Sequence, residues 1–258
     1  MSTSRPEGSL YTRLEGPLAI VEFGHPASNS MTSELLSRLS AEFDRLGKQP
    51  EVHAILLQSE GDRAFCAGAS FDELLEVSSP EESTAFFSGF AHLINAMRTC
   101  SRPIVCRVHG KAVGGGVGLI AACDYALASE KAAVRLSELS IGIAPLVIAP
   151  AVLRKTGVSG LGDLSLAPTS WQSAYWAREK GLYARVFESG KELDAESLHF
   201  ASQLASYPLK ALENLKQALW EGTGHWTRLL AERAAETGRL ALSATTQETL
   251  KTFKEKRQ

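Results

Sequence analysis

The chain predicts an α/β protein built on a mostly parallel sheet. Short runs of aliphatic residues alternate with segments of helical period through its first two-thirds, the pattern of strands joined by crossover helices. From about Glu192 onward the strand signal nearly vanishes and three helical segments follow, which predicts an appended helical region. Composition agrees: 258 residues, 44% hydrophobic and 22% charged, can bury one large core.

Leu18 to Phe23 reads as a buried strand. HPASNSMT then supplies turn residues and Thr32 as N-cap of a helix with Leu35, Leu36, Leu39, Phe43 and Leu46 on one face. A second strand, Ala54 to Gln58, leads through SEGDRAFCAGAS to a helix starting at Phe71, with Ser70 and Glu73 at capping-box spacing. A helix from about Glu82 to Arg98 turns Phe86, Phe90, Leu93, Ile94 and Met97 inward, and the strand Ile104 to Val108 follows. HGKAVGGG opens another helix. Tyr125 to Ala128 and Ala132 to Leu136 read as short strands, and Ile148 to Lys155 as a buried helix.

A soft boundary near residue 190 divides a core, 1–190, from a helical region, 191–258, with helices over Ala195 to Tyr207, Leu209 to Trp220 and Trp226 to Lys254. Trp226, Leu229, Leu230, Arg233 and Leu240 form one face of the last helix. Periodicity leaves open whether that face covers the chain's own core or another subunit.

A net charge of −2, with cations clustered only in the C-terminal KTFKEKR, gives nucleic acid no broad electrostatic reason to bind. Cys66, Cys100, Cys106 and Cys123 show neither CxxC spacing nor a small secreted framework, so buried thiols are expected rather than a metal site or disulfides. The polar N-terminus lacks a signal peptide's apolar region, and the most apolar run, Val117 to Ala128, is short and carries Asp124. A cytoplasmic protein without membrane contact is expected.

Two small-residue loops are delivered to helix N-termini, Ala67-Gly68-Ala69 and Gly114-Gly115-Gly116. Without Cβ atoms in the way, backbone N–H groups there can approach a ligand and favour negative charge. A dinucleotide fingerprint fails on detail, since Leu119 stands where its third glycine belongs, and no GK[ST] completes a phosphate loop. Two N–H groups from different segments, aimed at one oxygen, are what an enolate-forming thioester site needs.

HPASNSM, AFCAGASFDELLE, RPIVCRVHGKAVGGGVGLIAACDYALASEKA, LSELSIGIAP and the terminal FKEKR together resemble the enoyl-CoA hydratase/isomerase, or crotonase, superfamily over nearly the whole chain. The resemblance implies a spiral of ββα turns with a C-terminal helical trimerisation region. It further implies an acyl-CoA thioester substrate, an oxyanion hole of the Ala69 and Gly115 N–H groups, and a CoA adenine loop at Ala67 and Gly68. Phe253 and Lys256 would help cover CoA in a neighbouring subunit of a homotrimer or hexamer.

Family hydratases usually carry two glutamates. Glu138 matches the second, and Gly118, at the substrate-binding position of the first, has no carboxylate. Glu138 must then be the main acid/base, and its flanks Leu136, Ile141 and Ile143 make an apolar setting that raises a carboxyl pKa. Asp124, Cys66 and His109 are read as structural. Lys111 and Arg135 are sequence neighbours of the site without an assigned role.

The finer resemblance of GGGVGLIAACD, LSELSIGIAPLVIAP and WEGTGHWTRLLAERAAETGRLALS is to bacterial 3-methylglutaconyl-CoA hydratases of leucine degradation. It implies interconversion of 3-methylglutaconyl-CoA and 3-hydroxy-3-methylglutaryl-CoA, with no metal and no cofactor beyond the substrate's coenzyme A. Alternatives are a Δ3,Δ2-enoyl-CoA isomerase, a dehydratase of polyketide β-branching and, with less support, a non-catalytic or RNA-binding homologue.

Overall fold

The computed structural model describes residues 7–255, with side chains for 7–252. β1 (Ser9–Glu15) and β2 (Leu18–Gly24) form an antiparallel hairpin that turns at Gly16-Pro17, where Gly16 has φ +58°. This first strand is missing from the sequence reading because SLYTRLE alternates weakly and carries charge. After α1 (Ser33–Leu46) comes β3 (Ala54–Ser59), parallel to β2.

From there each turn of the chain lays one strand in a large sheet, one in a small sheet, and then a helix. The first turn is β3, β4 (Ala64–Cys66), α2 (Phe71–Glu76) and α3 (Pro80–Thr99). The second is β5 (Ile104–Val108), β6 (Lys111–Val113) and α4 (Gly115–Ala122). The third is β7 (Tyr125–Ser129), β8 (Val134–Arg135), a 3-10 turn (Glu138–Ile141), α5 (Ala149–Leu166) and α6 (Ala174–Glu179), after which β9 (Arg185–Phe187) joins the large sheet. The large sheet has the order β1-β2-β3-β5-β7-β9, parallel after its first pair, and the small sheet β4-β6-β8 is parallel. This is the spiral of ββα turns that the resemblance implies.

The predicted strand over Ala132 to Leu136 shortens to Val134–Arg135, and the predicted helix over Ile148 to Lys155 extends to Leu166 across a break at Gly157 (φ +68°). At α2 the predicted capping box is half made. Ser70 Oγ accepts from the Glu73 N–H, but the Glu73 carboxylate instead takes the Ser33 N–H and hydroxyl, tying α2 to the start of α1. A complete box forms at α3, between Ser79 and Glu82.

One face of the large sheet packs on α1, α3 and α4. The other, Leu18, Ile20, Leu56, Val105 and Leu127, is covered by Leu193, Ala201 and Ala205 of α7 (Gly190–Ala205). α8 (Leu209–Leu219) and α9 (Trp226–Ala241) follow, and α10 (Ala244–Glu255) is separate, because the predicted helix from Trp226 breaks at Leu242 and Ser243. The open question of the α9 face is thereby answered for most of its residues. Trp226 and Leu230 are buried in the chain's own core, and α9 lies so close to α3 that the Ser83 hydroxyl donates to the Gly238 carbonyl at 3.0 Å. The helices after residue 190 thus bury side chains against what precedes them, α7 in the cluster on one sheet face and α9 and α10 in the cluster on the other.

Asp124 anchors α8 as well as the strand edge. Its carboxylate accepts from the Ile104 N–H, Lys216 Nζ and Trp220 Nε1, each at 2.7 Å, and the ion pair with Lys216 is almost wholly buried. Removing one partner of such a pair leaves an uncompensated charge. Lys216→Ala should therefore cost about 3–5 kcal/mol in urea unfolding, whereas exposed Lys210→Ala should stay within about 0.5 kcal/mol of the parent.

Candidate active site

The two small-residue loops meet because the small sheet brings β4 beside β6. Gly68 has φ +90°, and a Cβ there would lie 2.9 Å from the Val113 carbonyl oxygen and 3.5 Å from the Gly115 nitrogen. A Cβ on Gly116 would fall 2.7 Å from the Cys66 carbonyl oxygen. Only glycine lets these segments touch backbone to backbone.

The first loop is held by HPASNSM. Met31 N–H donates to the Gly68 carbonyl at 2.8 Å, Ser70 N–H to the Met31 carbonyl at 2.8 Å, and Ala67 N–H to the Ser28 carbonyl at 3.1 Å. This bridge uses groups on either side of Ala69, so the alternation of an extended chain turns the Ala69 N–H away from Met31. Asn29 braces the support, with φ +57° and its Nδ2 donating to the carbonyls of Glu60 (2.7 Å) and Ala64 (2.9 Å). The sequence reading quoted the motif but missed this bracing role, for which the Asn in a turn was the available signal.

Gly115 opens α4, whose N-terminus has no side-chain cap. Neither the Ala69 nor the Gly115 N–H has a hydrogen-bond acceptor among the described residues. Both residues line a cavity of about 160 Å³, with Ala67 and Gly68 at the same wall.

Glu138 enters from the 3-10 turn. A Cβ on Gly114 would stand 2.9 Å from Glu138 Oε1, so the carboxyl rests against the glycine backbone beside the two N–H groups. Its Oε2 is buried without a hydrogen-bond partner. Burial pushes the carboxyl up to about 7, partly offset by the backbone N–H groups of Glu138 and Ser137. The rest of the lining is mostly apolar, including Phe87, Phe90, Ile143, Val147 and Ile148, with hydroxyl-bearing side chains at Ser137 and at Thr237 of α9.

Gly118 departs from expectation. It is buried on α4 outside the lining, and a Cβ added there would overlap the Ile148 side chain. Ile148, which does line the cavity, occupies the space that a side chain at 118 would need. Lys111 and Arg135 are not in the lining either; they stack on the Trp171 ring, 4.9 and 4.6 Å from its centroid. Phe253 and Lys256 lie outside the residues whose side chains are described.

The neighbours read as structural carry no competing chemistry. The Cys66 thiol is pushed up to about 12 by burial and stays protonated, and all four cysteines are free and buried. Burial lowers the His109 imidazole to about 4, and it does not line the cavity. Among the described residues no group of three or more His, Cys, Asp or Glu could hold a metal ion, and no helix is long and apolar enough to cross a membrane.

Two measurements test this geometry. Between the ordinary carboxyl value of 4.5 and about 7 the folded chain keeps a proton at Glu138 that the unfolded chain releases, so stability falls as pH rises through that window. Glu138→Gln should remove that slope, gaining on the order of 3 kcal/mol on the parent between the two ends of the window; parallel stability curves would mean a solvated carboxyl. A helical Gly→Ala change ordinarily gains up to about 1 kcal/mol, but Gly118→Ala should lose about 1–3 kcal/mol by overpacking. Ile148→Ala in the same chain should relieve part of that loss, a coupling that denaturant unfolding of the four variants would show.

The comparisons with known proteins agree with the fold. The family profile described as Enoyl-CoA hydratase/isomerase matches residues 13–258. A protein of Rhizobium meliloti named "Probable enoyl-CoA hydratase" is 29% identical over 214 residues, 82% of this chain and 80% of that one. Another of that name from Bacillus subtilis is 32% identical over 128 residues, a match spanning 50% of this chain and 49% of that one. The crystal structure of an enoyl-CoA hydratase/isomerase from Pseudoalteromonas atlantica superposes with a TM-score of 0.84 at 27% identity, covering 97% of this chain and 98% of that one. The chain belongs to the enoyl-CoA hydratase/isomerase family.

Proposed function

We propose that this chain is a hydratase-type lyase that interconverts 3-hydroxy-3-methylglutaryl-CoA and 3-methylglutaconyl-CoA, with Glu138 as its one acid/base and the Ala69 and Gly115 N–H groups as its oxyanion hole. The observation that carries it is the lone carboxyl set against Gly114, one of its oxygens buried without a partner, in a cavity otherwise apolar but for Ser137 and Thr237, where Ile148 closes the position of the family's first glutamate.

In the dehydration direction the thioester oxygen takes the two N–H groups, Glu138 removes the α-proton, and charge collects on that oxygen as the enolate. Each donor contributes about 3 kcal/mol to lowering such a barrier. The enolate then expels the C3 hydroxyl, which leaves as water with the proton Glu138 returns. Leaving from a tertiary carbon, the hydroxyl needs less assistance, so one carboxyl can serve both steps from one face. A group poised near 7 populates both protonation states at neutral pH. The 3-methylglutaconyl assignment rests on the resemblance of GGGVGLIAACD and LSELSIGIAPLVIAP. No metal or redox group is proposed, only the substrate's own coenzyme A.

A second reading, Δ3,Δ2-enoyl-CoA isomerisation, is favoured by one observation: the described lining holds no cation to meet a distal carboxylate. One carboxylate can carry a proton between two carbons without water.

A homotrimer or hexamer is proposed too, with Phe253 and Lys256 of one subunit covering CoA on the next and residues 191–258 supplying the interface. Val158 and Leu166 of α5, each about four-fifths exposed, add apolar surface outside residues 191–258 for a neighbouring subunit to cover.

The test is a panel of acyl-CoAs assayed in ¹⁸O-labelled water. Label in 3-hydroxy-3-methylglutaryl-CoA formed from 3-methylglutaconyl-CoA is expected; double-bond migration without label would establish the isomerase instead. Glu138→Gln should lower turnover about a hundredfold or more while CoA binding is retained, and near-normal turnover would remove Glu138 from the mechanism.

A further inference from the structure

The turn that carries Glu138 makes nearly all of its hydrogen bonds within its own segment. Its hydrogen bonds are internal: Ser140 N–H and hydroxyl to the Ser137 carbonyl, Gly142 N–H to Leu139 at 3.2 Å, and Ile143 N–H to Glu138 at 3.1 Å. Leu139 and Gly142 face solvent. One hydrogen bond enters the turn from another element among the described residues. Thr246 Oγ1, on α10, donates to the Gly142 carbonyl at 2.8 Å.

The contact is closely built. Gly142 has φ +87°, and a Cβ there would come within 3.1 Å of the Thr246 Cα and overlap its hydroxyl. Thr246 is 1% exposed, 104 residues away in sequence. Its hydroxyl also accepts from Ser243 Oγ at 2.9 Å, while Ser243 Oγ in turn takes the Thr246 N–H and starts α10. Leu250, 2% exposed, seats the same helix in the core. A chain of contacts thus runs from the buried face of α10 through Thr246 to Gly142 and back to Glu138.

We propose that Thr246 is a positioning residue for Glu138, holding the turn so that the carboxyl stays against Gly114 and out of water. The proposal rests on Glu138 being the acid/base. Without this bond the turn is left with its internal bonds and the packing of Ile141 and Ile143, and a displacement on the order of 1 Å at a reacting group costs about a hundredfold in favourable cases. Such a displacement also admits water to the carboxyl, which relieves its desolvation and lowers its pKa.

Thr246→Val keeps the shape and removes the hydroxyl; Thr246→Ser keeps the hydroxyl. With 3-hydroxy-3-methylglutaryl-CoA as probe, Thr246→Val should lower kcat by about tenfold and leave KM within about twofold, and Thr246→Ser should restore most of kcat. Without substrate, the stability–pH window that Glu138→Gln abolishes should narrow from its upper end in Thr246→Val, its lower end being fixed by the unfolded chain, and keep its full width in Thr246→Ser. That second readout is independent of which acyl-CoA is turned over. If Glu138→Gln is inactive while Thr246→Val keeps the parent's kcat and pH window, the positioning role is wrong and the acid/base stands. If Glu138→Gln turns over normally, the acid/base assignment falls, and Thr246 has no catalytic group to position.

Discussion

The site depends on one close approach, that of Cys66 to Gly68 against Val113 to Gly116 with no side chain between them. A methyl group on Gly68 or Gly116 would meet backbone carbonyl oxygens at under 3 Å, so any substitution forces the loops apart. Their separation decides whether two N–H groups face one oxygen or point independently. The small parallel sheet places β4 beside β6, and the Met31 bridge presses the Ala69 strand into position from the far side. Asn29, strained at positive φ and paid for by two carbonyl hydrogen bonds, belongs to that same support.

A carboxyl placed in this setting is unfavourable for stability. Its wall is made of Ile143, Val147 and Ile148, one of its oxygens has no partner, and the backbone donors nearby offset burial only in part. The same desolvation that costs folding energy brings the group into the pH range where a proton can go either way. Gly118 and Ile148 complete the arrangement: the helix gives up a side chain and the facing segment fills the space, leaving the cavity with a single acid.

The C-terminal helices take part in this site in the isolated chain. α9 contributes Thr237 to the lining, α10 reaches the turn below Glu138, and α8 is tied to the strand edge through Lys216, Trp220 and Asp124. Residues after 190 are thus distant in sequence from the glycine loops yet adjacent to the carboxyl beside them, so changes in either region reach the same cavity.

Local pattern carried much of this protein. Alternating strands and helices, Thr32 as a cap, the glycine loops and the apolar flanks of Glu138 were all legible, because each depends on residues a few positions apart. β4 and β6 were not, since three-residue strands exist through their pairing and have no period of their own. The same holds for the Glu73 bond to Ser33, the Ile148 side chain over Gly118, and Thr246 beneath the Glu138 turn. Lys111 and Arg135, neighbours of the site in sequence, point instead to Trp171. The sequence by itself determined which segments turn, extend or coil and which residue types could do acyl-CoA chemistry. Only the tertiary structure decided which of them share a cavity, because that depends on contacts between segments far apart in sequence, where steric fit and desolvation act and periodicity is silent.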